Sequence, residues 1–251
     1  MNGRTLLTDP NWHRAMVVPR LVEAAPLLDE LPAIDAVAVS HSHPDHLSMA
    51  TLRRLARRNP DAVGLVPLGL AKYLRRAGFR QVVELDWWES ARVGEVEATL
   101  VPARHWSRRG LFDLDRTLWG GWLFAGERRV WFAGDTAFDR ELFRSIGERA
   151  GELDAALLPI GAYAPEWFMC HQHLRPEDAG EAFLASGARL LGAIHWGTFV
   201  LSDEPTLEPP ERLRSWWDLA APSGRELWIP DIGEGIELRA RLVLPSREGL
   251  H

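Results

Sequence analysis

The feature that most constrains this chain is a six-residue run, His41-Ser42-His43-Pro44-Asp45-His46, which packs three imidazoles and a carboxylate directly behind an apolar stretch. Ile34 to Ser40 reads as a buried strand. Ser48 to Arg58 puts Met49, Leu52, Leu55 and Ala56 at helical spacing, turns Arg53, Arg54, Arg57 and Arg58 outward, and stops at Asn59-Pro60. The run is therefore a loop between a strand and a helix. Alternate residues of an extended loop point the same way, so His41 and His43 converge on one point. The turn that Pro44 favours redirects Asp45 and His46 toward a second point nearby. Imidazole and carboxylate without thiolate suit Zn, Fe or Mn, and two such points imply two divalent ions, with zinc the first choice.

Six residues cannot fill two coordination spheres, so further ligands are sought at other strand ends. Three are found. His105 lies just past the strand-like run Glu95 to Val101, Asp135 follows Val130-Trp131-Phe132-Ala133-Gly134, and His195 follows Leu190 to Ile194. Around them the chain alternates strands and helices at both ends, with helices expected over Leu68 to Ala77, Arg140 to Ala150, Pro176 to Ser186 and Pro209 to Ala220. The middle, Gln81 to Ala133, reads as an antiparallel meander without a helix. At 251 residues the chain is expected to form a single domain, 1–251, near the size limit of one hydrophobic core.

Composition excludes several classes. A net charge of −6 and a pI near 5.9 argue against electrostatic binding of long nucleic acids. One cysteine, Cys170, rules out an internal disulfide framework and points to cytoplasmic residence. No run approaches the ~20 apolar residues of a membrane span, and the opening Met1 to Thr5 has no apolar core of a secretory signal. The 12 tryptophans are read mainly as core and interface packing. Of the 29 basic residues only Lys72 is a lysine, and in so arginine-rich a chain the pair Arg108-Arg109 is read first as a solvated pair and second as a site for an acidic head group.

The order HxHxDH, strand-end His, GDT and late strand-end His resembles the metallo-β-lactamase superfamily. HWSRR (105–109), WFAGDT (131–136), LPIGAYAPEWFMCHQH (158–173), AIHWGTF (193–199) and EPP (208–210) resemble, within it, the N-acyl-phosphatidylethanolamine-hydrolysing phospholipase D family. The resemblance runs from Leu7 onward. It implies an α/β (α+β) fold, the metallo-β-lactamase-like αβ/βα four-layer sandwich. It implies a first metal held by His41, His43 and His105, a second held by Asp45, His46 and His195, and Asp135 bridging them. It also implies a phospholipase D-like phosphodiesterase, with a lactonase or other ester hydrolase on the same scaffold, or a non-catalytic metal-binding domain, as alternatives. His173 matches a family residue beside the substrate phosphate, so Asp45 and His173 are the expected catalytic residues, and His173, Arg108 and Trp106 the expected substrate contacts. His13, His171 and His251 have no such support and are read as surface or packing residues.

Charge counting supports that chemistry. Two divalent ions bring +4, while Asp45, Asp135 and a bridging hydroxide bring −3, which leaves about +1 and favours an anionic substrate. The expected substrate is a phospholipid or smaller phosphodiester. No basic amphipathic helix with aromatic anchors is recognisable, which leaves peripheral membrane contact and oligomeric state open. Family members carry a β-hairpin with a Gly-His pair before the element matching Leu6 to Pro10. The fold is expected to lack that hairpin, through loss of the first strands or a start at an internal methionine, and to expose a sheet edge there.

Overall fold

The computed structural model describes residues 1–15, 17–220 and 223–238. Short strands β1 (Leu6–Thr8), β2 (Ala36–Ala38), β3 (Val63–Pro67) and β4 (Gln81–Leu85) form a four-stranded parallel sheet in that order. Helices α1 (Met49–Arg58) and α2 (Ala71–Ala77) cover one face of it. The alternation of the strand decides which side chain goes where: Val37, with Val39 beyond the strand, packs against Leu52, Leu55 and Leu74 of the helices, while Ala36 and Ala38 face the second sheet.

That second sheet has seven strands, ordered β11-β10-β9-β8-β7-β6-β5. β5 (Ser90–Val93), β6 (Val96–Val101), β7 (Gly121–Ala125) and β8 (Arg129–Phe132) form the antiparallel part, and β9 (Ala155–Pro159), β10 (Leu190–Ile194) and β11 (Glu226–Trp228) extend it in parallel from β8. Trp122, Phe124 and Phe132 pack between the sheets against Ala36, Ala38 and Leu65. Their neighbours Leu123 and Trp131 point the other way, toward α3 (Arg140–Ala150), α5 (Pro176–Ser186) and α6 (Glu208–Ala220). The layers are helix, sheet, sheet, helix, as expected for this fold class. A short helix α4 (Glu166–Met169) lies in the loop after β9.

Three local expectations need correction. The meander does not begin at Gln81, because β4 pairs in parallel with β3 in the first sheet and the antiparallel run starts at β5. The helix expected from Leu68 starts at Ala71, because Leu68 N–H bonds the carbonyl of Leu85 and Gly69 takes a left-handed φ of 88°. The strand expected from Thr117 starts at Gly121, since Leu118 and Gly120 donate across to Leu68 and Ser40 of the first sheet's loops. Among the described residues, β1 pairs only with β2 and its other edge carries no strand. His251 lies outside the described residues.

Candidate metal centre

The loop after β2 is clamped from two sides. Arg109 Nη1 donates to the carbonyls of Ser42 (3.0 Å) and Leu47 (2.8 Å), and Asn11 Nδ2 donates to the carbonyl of Asp45 (3.0 Å). Leu47 N–H closes a turn onto His43, and Ser48 caps α1 by accepting from Thr51 N–H. Asp135 arrives from the end of β8 through Gly134, whose φ is +63° and where a Cβ would stand 2.8 Å from Ser40 Cβ. His195 follows β10 with a left-handed φ of 59°, a strained conformation for a residue with a Cβ. Its carbonyl passes so close to Gly161 that a Cβ there would meet it at 2.3 Å.

These elements bring the seven sequence-selected candidates into two groups. His41, His43, His105 and Asp135 form one, and Asp45, His46, His195 and Asp135 form the other, with one potential ligand atom from each residue inside a common 4.8 Å. In the first, His41 Nε2 is 2.8 Å from His43 Nδ1, which is 3.3 Å from His105 Nε2, and Asp135 Oδ2 lies 3.7 Å from both His41 and His105. In the second, His46 Nε2 is 3.2 Å from His195 Nε2 and 3.1 Å from both Asp45 Oδ2 and Asp135 Oδ2. Asp135 Oδ1 is 3.3 Å from His195 Nε2. Asp135 therefore belongs to both.

The donor chemistry fits cations. His105 Nδ1 faces the carbonyl of Gln172 at 2.9 Å, so its proton sits there and the Nε2 lone pair points inward. His46 Nδ1 faces Asp9 Oδ2 at 2.7 Å, with the same consequence. Ser40 Oγ donates to Asp9 Oδ2 at 2.5 Å and so accepts from His41 Nδ1 at 2.8 Å, which turns the third Nε2 lone pair inward. Lone pairs facing one another and facing carboxylate oxygens at these distances repel unless positive charge stands between them. Two nitrogen ligands of a tetrahedral Zn lie about 3.4 Å apart, close to the spacings seen here. Asp135 Oδ1 is moreover buried without a hydrogen-bond donor.

The electrostatics agree. Burial, reinforced by the neighbouring imidazoles, holds His41 well below the usual histidine range, and burial lowers His43 to about 4 and His105 to about 3. Burial also opposes charge on His46 and His195, but Asp135 and Asp45, joined at His46 by Asp9, outweigh it and raise both. Burial likewise disfavours the charged Asp135 and Asp45, yet the surrounding histidines hold both carboxyls well below the carboxylate range. One half of the cluster is a set of neutral lone pairs, and the other calls for positive charge.

Two open spaces flank the cluster. A cleft of about 650 Å³ is lined by His43, Asp45, Asp135, Trp106, Phe168, Gln172 and His173 among others. Trp106 packs edge-on against His43 with ring centroids 4.6 Å apart and donates to Gln172 Oε1. His173 belongs to neither ligand group; its ring lies 5.2 Å from that of His105 and 5.9 Å from that of His195, its Nδ1 is buried without a partner, and burial lowers its pKa. Arg108 is the selected residue that the fold does not bring to this cleft. It is exposed and donates to Gly110 and Leu111 of its own loop. A second cavity, of about 260 Å³, shares Asp45 and Leu201 with the cleft and is lined also by Asp9, Arg20, His46, His195 and Phe199 among others. His171 is exposed and His13 half-buried, apart from the cluster.

Two residues escaped the sequence reading. Asp9 ends β1 just as the selected ligands end theirs, and its φ of 42° marks it, but a strand of three residues carries too little pattern to be seen. Arg109, half of an expected solvated pair, instead binds the carbonyls of Ser42 and Leu47 and so brackets His43, Asp45 and His46.

Comparison with known proteins agrees with this architecture. Residues 4–196 match the family described as Beta-lactamase superfamily domain, and the chain belongs to that superfamily. It is 37% identical over 235 residues to N-acyl-phosphatidylethanolamine-hydrolyzing phospholipase D 1 of Caenorhabditis elegans, covering 87% of this chain and 66% of that protein. It is 36% identical over 224 residues to the N-acyl-phosphatidylethanolamine-hydrolyzing phospholipase D of Saccharomyces cerevisiae, named as mitochondrial, covering 84% of this chain and 48% of that one. The chain thus spans about half to two thirds of the length of these relatives. Igni18, a metallo hydrolase from Ignicoccus hospitalis, superposes with a TM-score of 0.68 at 22% identity, over 93% of this chain and 90% of its own, and shares the fold. Among the described residues no helix is long and apolar enough to cross a membrane.

Proposed function

We propose that this chain is a dinuclear metal-dependent phosphodiesterase, acting as one domain on a phospholipid-like or smaller phosphodiester. The observation that carries the reading is Asp135, one carboxylate shared by two ligand groups in which outer hydrogen bonds turn the lone pairs of His41, His46 and His105 inward. The relatives named as phospholipases D support the substrate class. His41, His43 and His105 would hold one ion, Asp45, His46 and His195 the other, with Asp135 common to both. When bound, such an ion pair supplies an activated water and neutralises charge developing on the phosphoryl oxygens.

The chain's own residues supply the rest. Asp9, Ser40 and the Gln172 carbonyl fix the ring orientations of His41, His46 and His105, so the site is arranged before substrate arrives. Trp106 and Phe168 give the cleft an apolar wall that excludes water and receives the organic part of the ester. Burial lowers the pKa of His173 and favours its neutral form, which suits a hydrogen-bond donor to a phosphoryl oxygen more than a standing acid. A cytoplasmic setting is part of the proposal, supported by the free, exposed thiol of Cys170.

The test is elemental analysis of protein purified without chelator, followed by turnover of matched phosphodiester, phosphomonoester and lactone substrates. Two equivalents of metal, zinc first, and a preference for the phosphodiester are expected. A stoichiometry of one or less after zinc addition would overturn the dinuclear site, and a preference for the lactone would overturn the substrate class.

A further inference from the structure

The second cavity beside the cluster, which shares Asp45 and Leu201 with the cleft, contains a cation that the proposed chemistry does not use. Arg20 lines it together with Asp45, His46 and His195, and is the one arginine or lysine among the described lining residues. Its side chain stands in the wall between this cavity and a surface groove that includes Trp12 and Leu28. Nη1 donates to the carbonyl of Asn11 at 2.7 Å and Nε to that of Val22 at 3.1 Å. Its carbon Cζ lies 5.4 Å from the centre of the Phe199 ring, across the cavity wall. The next residue ties the two walls together, as Leu21 N–H bonds the carbonyl of Thr198 at 2.9 Å.

Two features separate Arg20 from an ordinary surface arginine. It is partly buried, and among the described residues no carboxylate lies within ion-pair distance of it, although Arg175 and Arg212 elsewhere are each paired with acidic side chains. The two carboxylates that share its cavity, Asp9 and Asp45, are engaged with His46, and Asp45 also with His195. Nη2 has no partner among the described residues, so its N–H donors are available. A positioned, partly buried guanidinium with Nη2 to spare is a binding group for a planar or tetrahedral oxyanion. Arg109, by contrast, spends its Nη1 on the loop of the metal centre and lines neither flanking cavity of that centre.

We propose that Arg20 recognises a second anionic group on the substrate, a carboxylate or phosphate carried apart from the group that meets the metal centre, so that the preferred ligands are bis-anionic. The cluster would take one oxyanion and Arg20 the other, with the aromatic ring of Phe199 excluding water from the second contact. This rests on the reading of the cluster as a metal centre for anions, and it goes beyond that reading by assigning the second cavity a selective role.

The test uses isothermal titration of the zinc-loaded protein with two non-hydrolysable probes, propylphosphonate and 3-phosphonopropionate, which differ in one carboxylate. The wild type is expected to bind 3-phosphonopropionate at least roughly tenfold more tightly, the scale of one charge-assisted hydrogen bond. Arg20→Gln, which keeps amide donors for the loop but removes the charge, should abolish that preference while propylphosphonate affinity, metal content and melting temperature stay at wild-type values. Arg20→Lys should keep part of it. Equal affinities in the wild type, or a preference that survives in Arg20→Gln, would overturn the assignment. Loss of affinity for both probes in Arg20→Gln would assign Arg20 to propping the loop and overturn it as well. A wild type that shows the preference but turns over no phosphodiester would refute the proposed reaction while leaving Arg20's role standing.

Discussion

Asp9 Oδ2 lies 2.7 Å from His46 Nδ1, joining the end of the first strand to the loop that carries most of the candidate ligands. The same oxygen accepts from Ser40, whose hydroxyl accepts from His41. One buried carboxylate thus sets the tautomer of a histidine in each ligand group, and it does so without belonging to the shared set centred on Asp135.

Asp9→Asn removes the charge and presents an amide to a network built for an acceptor. Metal affinity should fall by roughly 10–100-fold, the usual effect of losing an outer hydrogen-bond partner of a ligating histidine. Competition with a chelator of known affinity measures this. Affinity within twofold of wild type would show that Asp9 only shapes the loop.

Asp135→Asn should be the most damaging carboxylate substitution, because both ligand groups lose charge at once. The variant is expected to retain at most one equivalent of metal under conditions where Asp45→Asn retains more. Elemental analysis of the two variants side by side decides it, and the reverse order would remove Asp135 from its bridging position.

The metal-free protein should be most stable near pH 6.5, the unfolded histidine value. His41, His43 and His105 have lowered pKa values, so the unfolded chain takes up protons below ~6.5 that the folded one refuses, and stability falls from there toward about 4 and about 3, the values of His43 and His105. His46 and His195 have raised values, so their contribution is complete below ~6.5 and is lost as pH rises through their folded pKa. Thermal melts in chelator from pH 5 to 8 should show a maximum. Bound metal, which replaces those protons, should remove the alkaline decline, and a melting temperature that changes in one direction across the whole window would contradict the assignment.

His173→Ala should lower kcat by at least about tenfold while metal content and melting temperature stay near wild type. The residue stands at the cleft wall outside both ligand groups, with Nδ1 unpartnered. Steady-state kinetics with a chromogenic phosphodiester, run beside elemental analysis, checks it. Unchanged kcat, or a loss of metal in proportion to activity, would return His173 to a structural role.

Much of this protein is written locally. The helices Arg140–Ala150 and Pro176–Ser186 and the strand Leu190–Ile194 follow from apolar spacing, from Pro176 at a first turn and from Gly187 at a left-handed end, because each signal acts within a few residues. The candidate ligands were legible for the same reason: an unusual histidine run behind a strand, and three polar residues at the ends of apolar runs, are patterns of adjacent residues. What the sequence alone could not decide is every pairing between distant segments. Whether β4 joins the first sheet or the meander depends on its partner β3, and β1, β5 and β11 are three or four residues each, stable only beside their neighbours. Asp9, Arg109 and Arg20 are ordinary residues by composition, and each acquires its role from a carbonyl, a histidine or a cavity that only the folded chain brings within reach.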